Sequence, residues 1–230
     1  MKNLISKQRS LLLTALLTLL TFGTVSAAAH GDTLDTTDMV GVSFWLAAAM
    51  MLASTVFFIM ERNTVADKWK TSMTVAALVT GIAWYHYTYM RDHWVATDTS
   101  PLVLRYIDWL ITVPLQVSEF YLILAAIGVA SAALFWRLFG ASIVMLVAGF
   151  LAEAQADISA ISEGMVWPLF AVGLLAWIYI IYEIWAGEAK ESVSDASEGT
   201  QFAFKAMALI LTVGWAIYPL GFILGQDADG

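Results

Sequence analysis

Arg105-Tyr106-Ile107-Asp108-Trp109-Leu110-Ile111-Thr112-Val113-Pro114-Leu115-Gln116-Val117-Ser118-Glu119 sets an arginine and two carboxylates inside an apolar run that extends from Leu102 to Ala126. A run of about 20 mainly apolar residues is what a helix needs to cross the hydrocarbon layer of a bilayer. A charge at the centre of such a helix costs at least ~2.5 kcal/mol if it finds no partner. At about 100° per residue, Asp108, Thr112 and Glu119 fall within about 40° of one another, with Arg105 and Gln116 flanking the arc. Lipid offers such a face nothing, so it points into a bundle of helices or a wet cavity. Asp108 and Glu119 are separated by about 16 Å along the helix axis. They cannot share one proton, but they can pass protons in sequence if something between them switches access. The competing interpretation is structural: a hydrogen-bonding face in which Asp108 pairs with Arg105 and Glu119 stays neutral to hold the bundle together.

The rest of the chain agrees with a membrane location. Of 230 residues, 60% are hydrophobic and 13% charged, too little polar surface for a water-soluble globule. Five further apolar stretches, roughly Met39 to Met60, Met73 to Met90, Ala132 to Leu151, Val166 to Trp185 and Phe202 to Leu224, are each long enough to cross. None shows the alternation of a membrane barrel strand. The expected fold is all-α, a multi-span transmembrane helix bundle of residues 30–230. Before it, Lys2, Lys7 and Arg9 precede an apolar run from Leu11 to Phe22 and small residues near Ala27 to Ala29, the pattern of a signal peptide over residues 1–29. Arg62, Lys68, Lys70, Arg137, Lys190 and Lys205 fall on one set of connections and Arg91 on the other, which predicts a cytoplasmic basic side and an outside mature N-terminus. Gly187 to Thr200 is expected to be a cytoplasmic linker.

Composition also excludes function classes. A net charge of -8 leaves no basic face for nucleic acid, and the absence of Cys removes thiolate metal sites and thiol nucleophiles. There is no His-rich metal spacing, Gly-rich phosphate loop or Ser/His/Asp set, so a hydrolytic or nucleotide-using enzyme has no support. His86, within Trp84-Tyr85-His86-Tyr87, is the other titratable group at mid-span. Standing alone it is a packing residue. If its ring meets Asp108 from the neighbouring antiparallel helix, it stabilises the carboxylate or shares its proton.

The run from Arg105 to Tyr121 closely resembles the third helix of the proteorhodopsins, bacterial retinal-binding proton pumps. Gly214-Trp215-Ala216-Ile217-Tyr218-Pro219 resembles their sixth helix, and Ala176 to Glu188 their fifth. The resemblance implies six of the seven helices of a microbial-rhodopsin-like fold in the bacterial inner membrane. It implies a light-driven outward proton pump, with Asp108 as counter-ion and primary acceptor, Glu119 as cytoplasmic-side donor, His86 as partner of Asp108, and Arg105 organising the extracellular half. The donor role requires Glu119 to hold its proton at rest, and the acceptor role requires Asp108 to be ionised. Tyr87, Trp109, Thr112, Met145, Trp215, Tyr218 and Pro219 would wall the retinal. Gln116 stands where the family's blue absorbers carry Gln and its green absorbers Leu, so blue absorption is expected. Relatives commonly form homo-oligomeric rings of five or six in the lipid bilayer.

The chain departs from the family in one respect. Its six lysines are Lys2, Lys7, Lys68, Lys70, Lys190 and Lys205, and none lies mid-membrane where the Schiff-base lysine of the seventh helix belongs. The expectation is an incomplete sequence of a pump, in which covalent retinal attachment has no lysine. Two alternatives stay open: a sensory photoreceptor of the same superfamily, which a retained donor acid disfavours, and a non-photoactive six-helix membrane scaffold. The segment Ala154 to Gly164 is longer and more acidic than the family suggests.

Overall fold

A computed structural model describes residues 34–155, 158 and 160–225; the expected signal peptide lies outside them. The described residues are helical with no strand. Helices α1 (Met39–Glu61), α2 (Lys70–Thr97), α3 (Leu102–Ala126), α4 (Ala132–Glu153) and α5 (Val166–Trp185) are followed by a short α6 (Glu188–Val193). The sixth span is divided into α7 (Glu198–Leu209), a π turn at Ile210–Gly214 and α8 (Ile217–Gly225). The long helices run antiparallel to their chain neighbours. One end of the bundle, called the basic end below, carries the α1–α2, α3–α4 and α5–α7 connections; the opposite end is called the acidic end.

Five helical segments among the described residues are long and apolar enough to span a membrane: Met39–Glu61, Leu102–Ala126, Ala132–Glu153, Glu163–Val193 and Glu198–Gly225. The chain is a multi-pass membrane protein. The second expected span, Met73 to Met90, differs: its helix starts at Lys70 and continues through Arg91, Asp92 and His93 to Thr97, so it is long but not uniformly apolar. Arg91 and Asp92 look like loop residues in the sequence, but they remain helical, with Arg91 donating to Asp92 at 2.7 Å. The extra turns bring Trp94 Nε1 to within 2.8 Å of Asp38 Oδ2. Asp38 also caps α1 through the N–H groups of Val40 and Gly41. At mid-height Thr55 Oγ1 donates to Thr80 Oγ1 at 2.9 Å, and Gly81 allows close approach there, since a Cβ would lie 3.3 Å from Thr55.

The expected linker from Gly187 to Thr200 is largely ordered into helix. Ala189 and Val193 of α6 are buried, and α7 already begins at Glu198. Arg137, read from sequence as a connection residue, lies inside α4 instead. Its Nε donates to Glu183 Oε1 at 2.9 Å and its Nη2 to Glu188 Oε2 at 2.5 Å, while the Tyr179 hydroxyl donates to Glu183 at 2.8 Å. These bonds clamp α4, α5 and α6 at the basic end. Beside them Val117, Phe120, Leu124, Leu138, Ile180 and Phe204 form part of a buried apolar core. Many other large apolar side chains, including Trp45, Met50, Phe57 and Leu175, are exposed, as a lipid-facing surface requires. The break in span six follows from Pro219, which has no N–H to continue the α ladder, and from Gly214 just before it.

Glu183 is buried and its cation is Arg137. Arg137→Gln therefore should destabilise the protein by about 3 kcal/mol, because it strands a buried carboxylate. Glu188→Gln, which touches the exposed side of the clamp, should cost under about 1 kcal/mol. Thermal unfolding in nanodiscs checks the order of the two.

Candidate functional site

Helix α3 is the central element of the site. Its bounds, Leu102–Ala126, are those the sequence predicts, because Pro101 opens it and Gly128, at φ 81°, follows its end. Val103, Ile107, Leu110 and Ile111 are exposed on one side of the helix. The polar arc lies across the axis, and the structure turns it inward. Asp108 is 2% exposed and Thr112 3%.

Asp108 Oδ1 lies 2.9 Å from His86 Nδ1 on α2. A carboxylate can only accept, so while Asp108 is ionised the proton sits on Nδ1 and the ring donates. The Thr112 hydroxyl, on the same face as the carboxylate, donates to the Asp108 backbone carbonyl at 2.9 Å. The alternative pairing of Asp108 with Arg105 is not what forms. Arg105 Nη2 donates to Glu153 Oε1 at the end of α4, and the Tyr106 hydroxyl donates to Glu153 Oε2 at 2.9 Å. The Arg105 guanidinium lies 5.3 Å from the Trp109 ring centroid. Arg105 is thus held by α4, one turn nearer the acidic end than Asp108.

Glu153 is the functional candidate that sequence reasoning missed. It is 48 positions from Arg105, and without the packing of α3 on α4 it reads as one more acid near a loop. The signal available was an arginine at bilayer depth in need of an anion.

Glu119 lies toward the other end of α3, half-buried, with Oε1 buried and without a hydrogen-bond partner among the described residues. Ser72 of α2 is the side chain whose hydroxyl approaches its carboxyl. Gln116 is exposed, although about 180° around the axis from Ile107. It therefore opens onto the seam on the polar side of α3, not onto the face that carries Ile107.

The aromatic candidates gather beside this seam. Trp109 and Tyr218 meet edge to face with centroids 4.9 Å apart. Tyr87 packs on Phe44 at 5.8 Å and lies within electrostatic reach of Tyr218, Asp108 and Arg105. Met145 and Trp215 pack on the apolar core, together with Trp177, whose buried Nε1 has no hydrogen-bond partner among the described residues. Pro219 is half-buried beside Tyr218. The structure thus brings together Tyr87 of α2, Trp109 of α3 and Tyr218 of the sixth span, and sets Met145 and Trp215 against the apolar core.

The family profile described as bacteriorhodopsin-like protein matches residues 38–230. The chain belongs to the bacteriorhodopsin-like family. It is 52% identical over 211 residues to the green-light absorbing proteorhodopsin of Gamma-proteobacterium EBAC31A08, covering 90% of this chain and 82% of that one. It is 53% identical over 205 residues to the blue-light absorbing proteorhodopsin of Gamma-proteobacterium Hot 75m4, covering 89% and 79%. A crystal structure of blue light-absorbing proteorhodopsin from Med12 superposes with a TM-score of 0.68 at 53% identity, covering 84% of each chain. Membership of the bacteriorhodopsin-like family brings retinal into question as the ligand, and the walls can be tested against it. Aromatic rings from α2, α3 and the sixth span suit a long conjugated apolar molecule. The fit does not extend to covalent attachment: Lys68, Lys70 and Lys190 lie at the basic end, and Lys205 is exposed on α7, well before Trp215 toward that end.

The His86–Asp108 contact has a direct check. In nitrogen-15 NMR of His86-labelled protein, Asp108→Ala should move the Nδ1 resonance and leave His93 unmoved. An unchanged Nδ1 resonance would show that the carboxylate is not its partner.

Proposed function

We propose that this protein is a light-driven outward proton pump that uses retinal. The observation that carries the reading is the placement of two acids on one face of α3 at two depths, each against a polar side chain of α2: Asp108 with His86 and Glu119 with Ser72. A scaffold gains nothing from a second acid whose buried oxygen has no hydrogen-bond partner among the described residues, since such an atom costs about 1–3 kcal/mol. The two relatives at 52% and 53% identity are both named as light-absorbing proteorhodopsins.

Retinal, when bound, supplies light absorption and the change of shape and charge that drives the cycle. The protein's own residues set the direction. Asp108 takes a proton toward the acidic end, and His86 holds its carboxylate in place and can share the incoming charge. Arg105, held by Glu153, is a positive charge one turn beyond Asp108 and discourages return. Glu119 delivers a proton from the opposite half of the span. Arg62, Lys68 and Lys190 favour a cytoplasmic basic end, so net transport is outward. Identity divides almost evenly between green and blue relatives. The colour assignment therefore rests on Gln116, exposed on the polar side of α3, whose amide dipole favours blue absorption.

Cells expressing the gene and supplied with retinal should acidify a weakly buffered medium on illumination. Asp108→Asn should abolish the signal. Glu119→Gln should slow the cycle on the order of 10²-fold, the usual contribution of a positioned acid. A coloured wild-type protein that moves no protons under light would defeat the pump and leave the sensory alternative. Gln116→Leu should shift the absorption maximum to longer wavelength, read directly in the purified pigment.

A further inference from the structure

Helix α6 has six residues, and an isolated helix shorter than about 12 residues is marginal in water. Its order therefore depends on docking. Ala189 and Val193, four positions apart and so on one face, are 0% and 1% exposed and join Phe120, Leu124 and Phe204 in the buried core. Glu191, Ser194 and Asp195, in and just after the helix, are exposed. The helix lies across the basic end against α3, α5 and α7. It closes the end of a core that holds the Phe120–Phe204 ring pair, with centroids 5.1 Å apart.

Two small side chains bury little apolar area, so docking leans on polar ties at both ends. At the start, Glu188 Oε2 accepts from Arg137 Nη2 at 2.5 Å. At the far end, Gln201 Nε2 of α7 donates to the carbonyls of Ser194 and Ala196, both at 2.9 Å. The turn from α5 into α6 is made at Gly187, where a Cβ would lie 2.6 Å from Glu183 Oε2 and 2.8 Å from Glu183 Cα. Only glycine lets the chain pass so close. Arg137 keeps a second partner whatever α6 does, because its Nε donates to the buried Glu183. Release of Glu188 therefore strands no charge. The side chains of Arg137 and Glu188 are 37% and 35% exposed, so water can take the place of their bond.

We propose that α6 is a hinged lid over the basic end of the bundle, closed by a releasable latch between Glu188 and Arg137, and that it opens as a unit while α4 and α5 stay packed. The buried Arg137–Glu183 bond is the fixed half of the latch and Glu188 the moving half. Opening lifts Ala189 and Val193 out of the core and admits water from the basic end. None of this depends on the donor role of Glu119.

The test is amide hydrogen–deuterium exchange, read by mass spectrometry on the protein in nanodiscs in the dark. At low salt the amides of residues 189–193 should be protected in the wild type, since the helix forms only when docked. Glu188→Gln should speed their exchange about threefold, the worth of a partly exposed ion pair, and leave α4 and α5 unchanged. Salt at about 1 M should speed the wild type by a similar factor and leave Glu188→Gln as it was. The chain has no Cys, so Val193→Cys supplies a single thiol whose reaction with a water-soluble maleimide reads opening directly. Adding Glu188→Gln should quicken that reaction by the same factor. Wild-type exchange at the free-peptide rate overturns the lid. Equal exchange in wild type and Glu188→Gln, or salt acceleration that persists in Glu188→Gln, overturns the latch. Exchange that quickens in α4 and α5 along with α6 overturns opening as a unit.

Discussion

An ionised carboxylate away from water must be met by a partner, and in this protein the partner of Asp108 comes from a different helix. The His86–Asp108 bond does more than stabilise one side chain. It sets the height and rotation of α2 against α3, and so decides which residues face each other along the rest of the seam. In a lipid environment the hydrophobic effect does not drive helices together, so polar contacts and close packing carry proportionately more of the specificity. Arg105 follows the same rule on the other side of α3, where it meets Glu153, a carboxylate that the Tyr106 hydroxyl also holds.

The two ends of the bundle solve different problems. Toward the acidic end the interior is polar, with Arg105, Glu153, Tyr106 and Asp108 in two linked groups. Toward the basic end it is apolar, and its charges are drawn into the Arg137 clamp or left at the surface. A polar half and a dry half separated by a residue that can change its protonation is an arrangement that gives motion of charge a direction. It also explains why Glu119, on the dry side, is left with so few neighbours.

Much of this was legible in the chain because the chemistry is local. The polar arc of α3 follows from helical periodicity alone, and Pro101 and Gly128 mark the ends of that helix as their backbone preferences require. The bounds of α2 were not legible, since Arg91, Asp92 and His93 look like a loop until Trp94 is seen bonding Asp38 from far along the chain. Helix α6 read as a linker because its stabilisation is tertiary: Ala189 and Val193 are buried against other helices, and Glu188 reaches Arg137. Glu153 and Ser72 were missed for the same reason. Each acquires meaning only through a residue on another helix, and one sequence carries no record of that pairing. Retinal attachment is the converse case, where a full list of lysines shows directly that the described ones lie away from Asp108.

The staples between α1 and α2 bear on how the chain enters the bilayer during synthesis. Helix α1 buries little of itself, with Gly41, Ala48 and Thr55 as its buried residues. Two of its ties, Asp38 to Trp94 and Thr55 to Thr80, both run to α2. A first helix so dependent on the second gains its hydrogen bonds only once both are out of the ribosome, and α2, with Arg91, Asp92 and His86, is the costlier one to place in lipid alone. The pair is therefore suited to leave the translocon as a preformed hairpin, the apolar arm carrying the polar one across.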